Sequence, residues 1–216
     1  MICIFSYNRP EMLMSLLKEL HGRDTITVMD DGSGFDPEPF LDYCDFYRAE
    51  HRGKQGFWMQ WRDALEILRD STCKQFIFLP DDAENVQYDR IIQATRGQKR
   101  YAINVINAGA DRGWTDIPYT PVDLNGIAAN KMGYVDCAFV CDRKALELLN
   151  WQIQPVSTIR FILNPLISSG VGCQLSRRFK QLRVDMYLPV ESLARHGKHE
   201  SMMHPIERKN NPLVSI

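Results

Sequence analysis

The chain has 216 residues, 44% of them hydrophobic and 25% charged, with a net charge of −1. These values describe a globular protein with room for one α/β domain and a real core; they exclude a low-complexity chain, and no apolar stretch reaches the ~20 residues that span a bilayer. Six scattered cysteines without a CxxC pair argue against zinc and for reduced thiols in a cytoplasmic protein.

Ile2–Ser6 predicts a buried strand rather than a signal peptide, because no basic segment precedes it. Pro10 can open the next helix, on which Leu13, Leu16, Leu17 and Leu20 recur at helical spacing, and His21-Gly22 can stop it. Ile26–Met29 predicts a second strand, closed by Asp30-Asp31 and a turn at Gly32-Ser33-Gly34. Phe40–Phe46 is expected as a short helix, Tyr47–Ala49 as a short strand and residues 51–56 as a flexible basic loop. Phe57–Arg69 predicts a strong helix with Trp58, Trp61, Leu65 and Leu68 on one side, and Phe76–Leu79 a strand that ends at Pro80-Asp81-Asp82. This strand–helix alternation favours a mainly parallel sheet flanked by helices.

The second half is less regular. Ala102–Ile106 and Tyr134–Cys141 are expected as strands, with residues 109–133 between them as a long loop or lid. Arg143–Leu149 and Gly172–Gln181 read as helices and Val184–Leu188 as a late strand. The tail holds His196, His199 and His204, three of the five histidines. Residues 1–139 carry 15 Lys/Arg against 21 Asp/Glu, and residues 140–216 carry 11 against 6. The basic second half is either a solvated helix face or a surface for an anionic acceptor or a diphosphate. Without repeat or linker, residues 1–216 are expected as a single domain.

The candidate site residues stand where strands end. Carboxylates there are costly unless cations or hydrogen-bond donors meet them. In Ser6-Tyr7-Asn8-Arg9-Pro10 the tyrosine could stack on a nucleobase, and Asn8 or Arg9 could bond its edge or a phosphate; a plain strand-to-helix turn explains the same residues. Of Asp30-Asp31, one could bond uracil or ribose while the other caps the turn, or both could belong to an Asx-turn without ligand. Asp81-Asp82 suits Mn²⁺ or Mg²⁺ bridging two phosphates, or else an exposed acidic turn. The tail histidines could complete a metal shell or simply be surface.

Together these segments resemble the GT-A glycosyltransferases, specifically the broad family 2-like group. Ile4–Pro10 is similar to that family's opening strand and tyrosine-asparagine turn, and Val28-Met29-Asp30-Asp31-Gly32-Ser33 to its nucleotide contact. Phe78–Asp82 is similar to its DXD-type metal motif, and Ser192–Gly197 to its late histidine segment. The resemblance implies a GT-A, Rossmann-like fold, with residues 1–100 binding a nucleotide sugar and 101–216 forming a smaller mixed, acceptor-binding half. It implies a UDP sugar as donor, held by Ser6, Tyr7, Asn8, Arg9, Asp30, Asp31 and Asp81. Arg52, Lys54 and Lys198 would attend the phosphates, and Asp82 and His196 would ligate Mn²⁺ or Mg²⁺.

One departure concerns the catalytic base. The family carries an acidic pair just before a helix of the form L-S-x-R; here that helix is Leu175-Ser176-Arg177-Arg178 and the acids' places hold Val171-Gly172. Asp136, in the strand that the family places beside the donor sugar, is the expected substitute, a buried structural aspartate being the other reading of the same residue, and Glu200 is the alternative base. Of two acceptors, the basic second half slightly favours hydroxymethylated pyrimidine in DNA, as in compact phage-type transferases, with Trp114, Tyr119 and the Arg177–Arg183 cluster as contacts; the alternative is a surface polysaccharide or lipid-linked glycan, the commoner acceptor of the class. No membrane anchor is evident. The rival classes are a nucleotidyltransferase, against which the absence of a glycine-rich loop after the first strand counts, and an inactive nucleotide-sugar-binding module.

Overall fold

The structure is a computed structural model that describes residues 1–107, 120–164 and 169–197. The first half contains β1 (Ile2–Ser6), α1 (Pro10–Leu20), β2 (Ile26–Asp30), β3 (Asp45–Arg48), α2 (Gly53–Asp70) and β4 (Gln75–Pro80). Then come β5 (Ala83–Glu84), α3 (Tyr88–Thr95), β6 (Tyr101–Asn104), β7 (Thr120–Asp123), β8 (Ala128–Met132) and β9 (Phe139–Asp142). The described part closes with α4 (Arg143–Leu148), α5 (Ile159–Leu163), α6 (Val171–Gln181), β10 (Asp185–Pro189) and β11 (Arg195–His196).

One sheet runs through both halves in the order β3-β2-β1-β4-β9-β6-β10-β8-β7. Only β8 and β9 run against the other strands, so the sheet is mainly parallel and its mixed part lies in the second half. Alternation along each strand divides the core between two faces. Ile2, Ile4, Ile77 and Leu79 meet Leu13, Leu16, Leu17 and Leu20 of α1 and Ile91 of α3 on one face. Cys3, Phe5, Phe76 and Phe78 meet Trp61, Leu65 and Leu68 of α2, Leu146 of α4 and Leu175 and Phe179 of α6 on the other. Strands buried on both faces explain why the sequence shows continuous apolar runs rather than alternation. No helix among the described residues is long and apolar enough to cross a membrane.

Several expectations need correction. Phe40–Phe46 is not a helix: a 3₁₀ turn at Glu38–Phe40 leads to β3, where pairing with β2 sets the conformation and Phe40 and Phe46 pack around Phe35. The basic loop at 51–56 is largely the first turn of α2, because Asp31, 21 and 22 residues upstream, accepts hydrogen bonds from the Arg52 and Gly53 N–H groups. Trp58 is only half-buried, and Phe57 and Gln60 take its expected place inside. Residues 120–132 form the β7–β8 hairpin at the sheet edge instead of a lid; residues 108–119, with Trp114 and Tyr119, lie outside the described residues. The strand expected over Tyr134–Cys141 shortens to β9, since side chains of Asn104 and Ser176 take the N–H groups of Asp136 and Val135. Finally, β5 and β11 pair as a small second sheet that returns the late histidine segment to the end of β4.

Candidate active site at the carboxyl ends of the parallel strands

From β1 the chain winds outward to β2 and β3, then returns to lay β4 on the other side of β1. Ligands of open α/β sheets bind in the crevice that such a reversal leaves beyond the strands' carboxyl ends. Ser6–Arg9, Asp30-Asp31 and Asp81-Asp82 all leave their strands there. Because β2 and β4 flank β1, their ends lie about 10 Å apart, and Asp31 and Asp82 share one edge of the sheet.

The β4 end is the most tightly organised. Both aspartates are buried, Asp81 at 5% and Asp82 at 3% exposure. Asp81 accepts from the Ser6 hydroxyl and the Tyr7 N–H, each at 3.1 Å. Arg9 reaches both residues, with Nη1 3.2 Å from Asp81 Oδ1 and 3.1 Å from Asp82 Oδ2. Burial pushes the Asp81 carboxyl up to about 6, against the opposing pull of Arg9 and the Tyr7 N–H. The other Asp82 oxygen, Oδ1, lies 3.2 Å from His196 Nδ1. β11 delivers that imidazole by pairing with β5, and the Gly197 N–H donates to the Asp82 carbonyl at 2.7 Å.

The β2 end frames the opposite side. Asp31 caps α2 through the Arg52 N–H at 2.9 Å and the Gly53 N–H at 2.8 Å, and meets His51 Nδ1 at 3.1 Å. The His51 ring stacks on Tyr7, with centroids 4.3 Å apart. Asn8 donates its N–H to the Ser33 hydroxyl and accepts from the Gly34 N–H. Asp30 departs from expectation. Its side chain is fully buried, accepting from Ser33 and, at 2.7 Å, from Arg48, so it braces the turn and has no surface to offer a ligand. Ser6 is likewise buried and supports Asp81 rather than facing a donor.

Arg52 and Lys54, with Gly53, Gln55 and Phe161, line a cleft of about 390 Å³ at the N-terminus of α2. Arg52 also pairs with Asp63 at 2.6 Å. Asp136 sits in the loop before β9 rather than in a strand. The β4–β9 register pairs Gln75 with Asp142 and Phe78 with Phe139, so the loop that enters β9 lies toward the carboxyl end of β4. Gly172 stands where the family's acidic side chain is expected, and a Cβ added there would lie 3.6 Å from the Asp136 Cα. Lys198 and Glu200 lie outside the described residues.

The donor set can be tested against a divalent ion. Asp81 is engaged by Ser6, Tyr7 and Arg9, and Asp82 by Arg9 through Oδ2, so the ligand pair that faces each other is Asp82 Oδ1 and His196 Nδ1. A carboxylate oxygen and an imidazole nitrogen at that separation suit Mn²⁺ or Mg²⁺ when phosphate oxygens and water complete the shell. No group of three metal-ligating side chains is gathered among the described residues. The residues therefore fit an ion that depends on its phosphate ligand.

His51, Asn104 and Ser176 join the site without having been expected from the sequence. For Asn104 a signal existed, since an amide inside the apolar run Tyr101–Ile106 has to be hydrogen-bonded if buried. Ser176 stood in the L-S-x-R likeness without a role of its own, and His51 carried no comparable signal.

No family model and no curated protein matches the chain. Among solved structures it is similar to the galactosyltransferase LgtC in complex with donor and acceptor sugar analogues, at a TM-score of 0.43 and 10% identity over 99% of this chain and 95% of that one. It is also similar to an active-site mutant of LgtC, at a TM-score of 0.45 and 8% identity over 99% and 94%. Likenesses this loose leave the chemistry to be read from the site itself.

Proposed function

We propose that the chain is a glycosyltransferase that moves a sugar from a nucleotide sugar, a UDP sugar by its motif likeness, to an acceptor hydroxyl. The observation that supports this best is the meeting of Asp82 with His196, beside Asp81 and Arg9, at the switch point of a mainly parallel sheet. Asp82 and His196 would hold Mn²⁺ or Mg²⁺, which when bound offsets the charge of the departing diphosphate. Arg9 screens the two aspartates from each other. Tyr7, backed by His51, offers an aromatic surface to the nucleobase, and Asp31 with its capped turn frames the ribose. Arg52 and Lys54 place positive charge by the phosphates at the start of α2, where the helix dipole acts in the same sense.

In the transfer step, the acceptor oxygen bonds to the anomeric carbon as the bond from that carbon to the diphosphate breaks. The acceptor proton passes to the Asp136 carboxylate. The closeness of Asp136 to position 172 supports this assignment over Glu200. A glycan hydroxyl is the favoured acceptor. The DNA alternative relies on the basic residues of α6, but Arg178 is bonded to the Leu149 and Gln152 carbonyls. The exposed Lys180 and Arg183 follow α6 away from Gly172 toward the start of β10, at the opposite edge of the sheet.

A thermal-shift panel of nucleotide sugars with and without Mn²⁺, followed by donor-turnover assays, tests this function. One donor should raise the melting temperature, more so with the ion, and be consumed. Asp82→Ala and His196→Ala should each remove the ion-dependent part of the shift and of turnover. A panel in which no nucleotide sugar binds or turns over would end the proposal, and Asp82→Ala with full ion-dependent activity would end the assignment of the metal ligands.

A further inference from the structure

We propose that Asn104 is the positioning residue that sets Asp136 for proton transfer, an inference that rests on Asp136 serving as the base. Asn104 closes β6 and is 2% exposed. Its side-chain amide donates to the Tyr134 carbonyl at 3.1 Å and the Tyr187 carbonyl at 3.0 Å, and its Oδ1 accepts from the Asp136 N–H at 2.7 Å. Both donor hydrogens and the acceptor are thus in use. They tie the end of β6, the loop before β9 and β10 together at one point.

The same loop is held one residue earlier, where the Val135 N–H donates to the buried Ser176 hydroxyl at 2.9 Å. Asp136 is therefore fixed through its backbone on the side of the sheet, while its Oδ1 accepts the Cys137 N–H at 2.8 Å. Its Oδ2 has no protein partner among the described residues. A buried amide is tolerated only when its bonds are made. Two of the three bonds of Asn104 go to the loop that carries the base, a loop that has given up its strand ladder on this side, and the third anchors the amide on β10. Misplacing a reacting group by about 1 Å can cost a hundredfold in rate, so a strut of this kind acts on turnover.

The experiment compares Asn104→Ser, Asp136→Asn and the double variant in the transfer reaction, each below its own melting temperature, with donor affinity followed separately. Asn104→Ser should lower kcat by roughly ten- to a hundredfold with donor affinity and KM within about twofold. Added to Asp136→Asn, it should change the residual rate little, because there is no longer a base to position. Full kcat in a folded Asn104→Ser protein would overturn the inference while leaving Asp136 as the base. An Asn104→Ser loss that is undiminished in the Asp136→Asn background would overturn it in the same way. Full activity in Asp136→Asn would overturn the base assignment and this inference with it. Should Asn104→Ser fail to fold, hydrogen exchange of the Asp136 amide in the unaltered protein decides: slow exchange supports the strut, and exchange at the rate of an open loop overturns it.

Discussion

At the end of β4 two carboxylates occupy neighbouring positions, and the guanidinium of Arg9 lies within 3.2 Å of one and 3.1 Å of the other. All three side chains are nearly buried, so the pair depends on a cation supplied from within. Replacing Arg9 with Met should therefore lower unfolding free energy by roughly 3 kcal/mol, the usual cost of stranding a buried charge. Denaturant titration would read this, and an unchanged midpoint would mean that the guanidinium does not hold the pair. The raised Asp81 pKa fits the same picture, because burial outweighs the help from Arg9 and Tyr7.

At the scale of elements, the turn after β2 decides how α2 begins. Gly32 has φ +75°, and a Cβ there would come 2.5 Å from the His51 backbone nitrogen. Gly32→Ala should cost roughly 2 kcal/mol or more, as both the left-handed backbone and the contact are strained. It should also weaken nucleotide-sugar binding, since His51, Arg52 and Gly53 all meet Asp31; a variant with unaltered stability and binding would show the turn to be slack. Further along α2, burial would raise the Asp63 pKa, but hydrogen bonds and charge from Arg52 and Arg62 prevail and lower it. A lowered folded-state pKa adds stability above the unfolded value, near 3.9, and that stability is lost as pH falls through the folded value. Asp63→Asn should thus be modestly less stable than the unaltered protein at neutral pH, with the gap closing below about pH 4. Thermal unfolding across pH 3 to 8 tests the sign.

Across the whole molecule, site assembly depends on closing the chain over a long sequence distance. Leu193 is fully buried, and the N–H groups of Leu193 and Ala194 both donate to the Val105 carbonyl just before β11 places His196 by Asp82. Leu193→Ala should cost about 2–5 kcal/mol, as other buried leucine truncations do. It should also reduce Mn²⁺-dependent donor binding, because the imidazole arrives through the same segment. Destabilisation with binding intact would show that β11 is held by β5 alone.

Much of the fold could be read from local pattern. The i, i+3, i+4 leucines of α1, the apolar runs of β1, β2 and β4, and the acidic pairs behind two of them are short-range signals, and they put Arg9, Asp31, Asp81 and Asp82 on the segments that leave β1, β2 and β4. The 53–56 turn, the β7–β8 hairpin and the loop around Asp136 could not be read that way. Each is set by a distant partner: Asp31 capping α2, the sheet edge receiving a hairpin, Asn104 and Ser176 taking the N–H groups of a would-be strand. The sequence by itself determined which residues end strands and which carry charge. Tertiary structure alone decided that Asp30 is a brace, that Arg9 bridges the two β4 carboxylates and that His196 returns to Asp82. Hydrogen bonds and ion pairs of that kind join residues separated by tens of positions, and no periodicity along the chain encodes them.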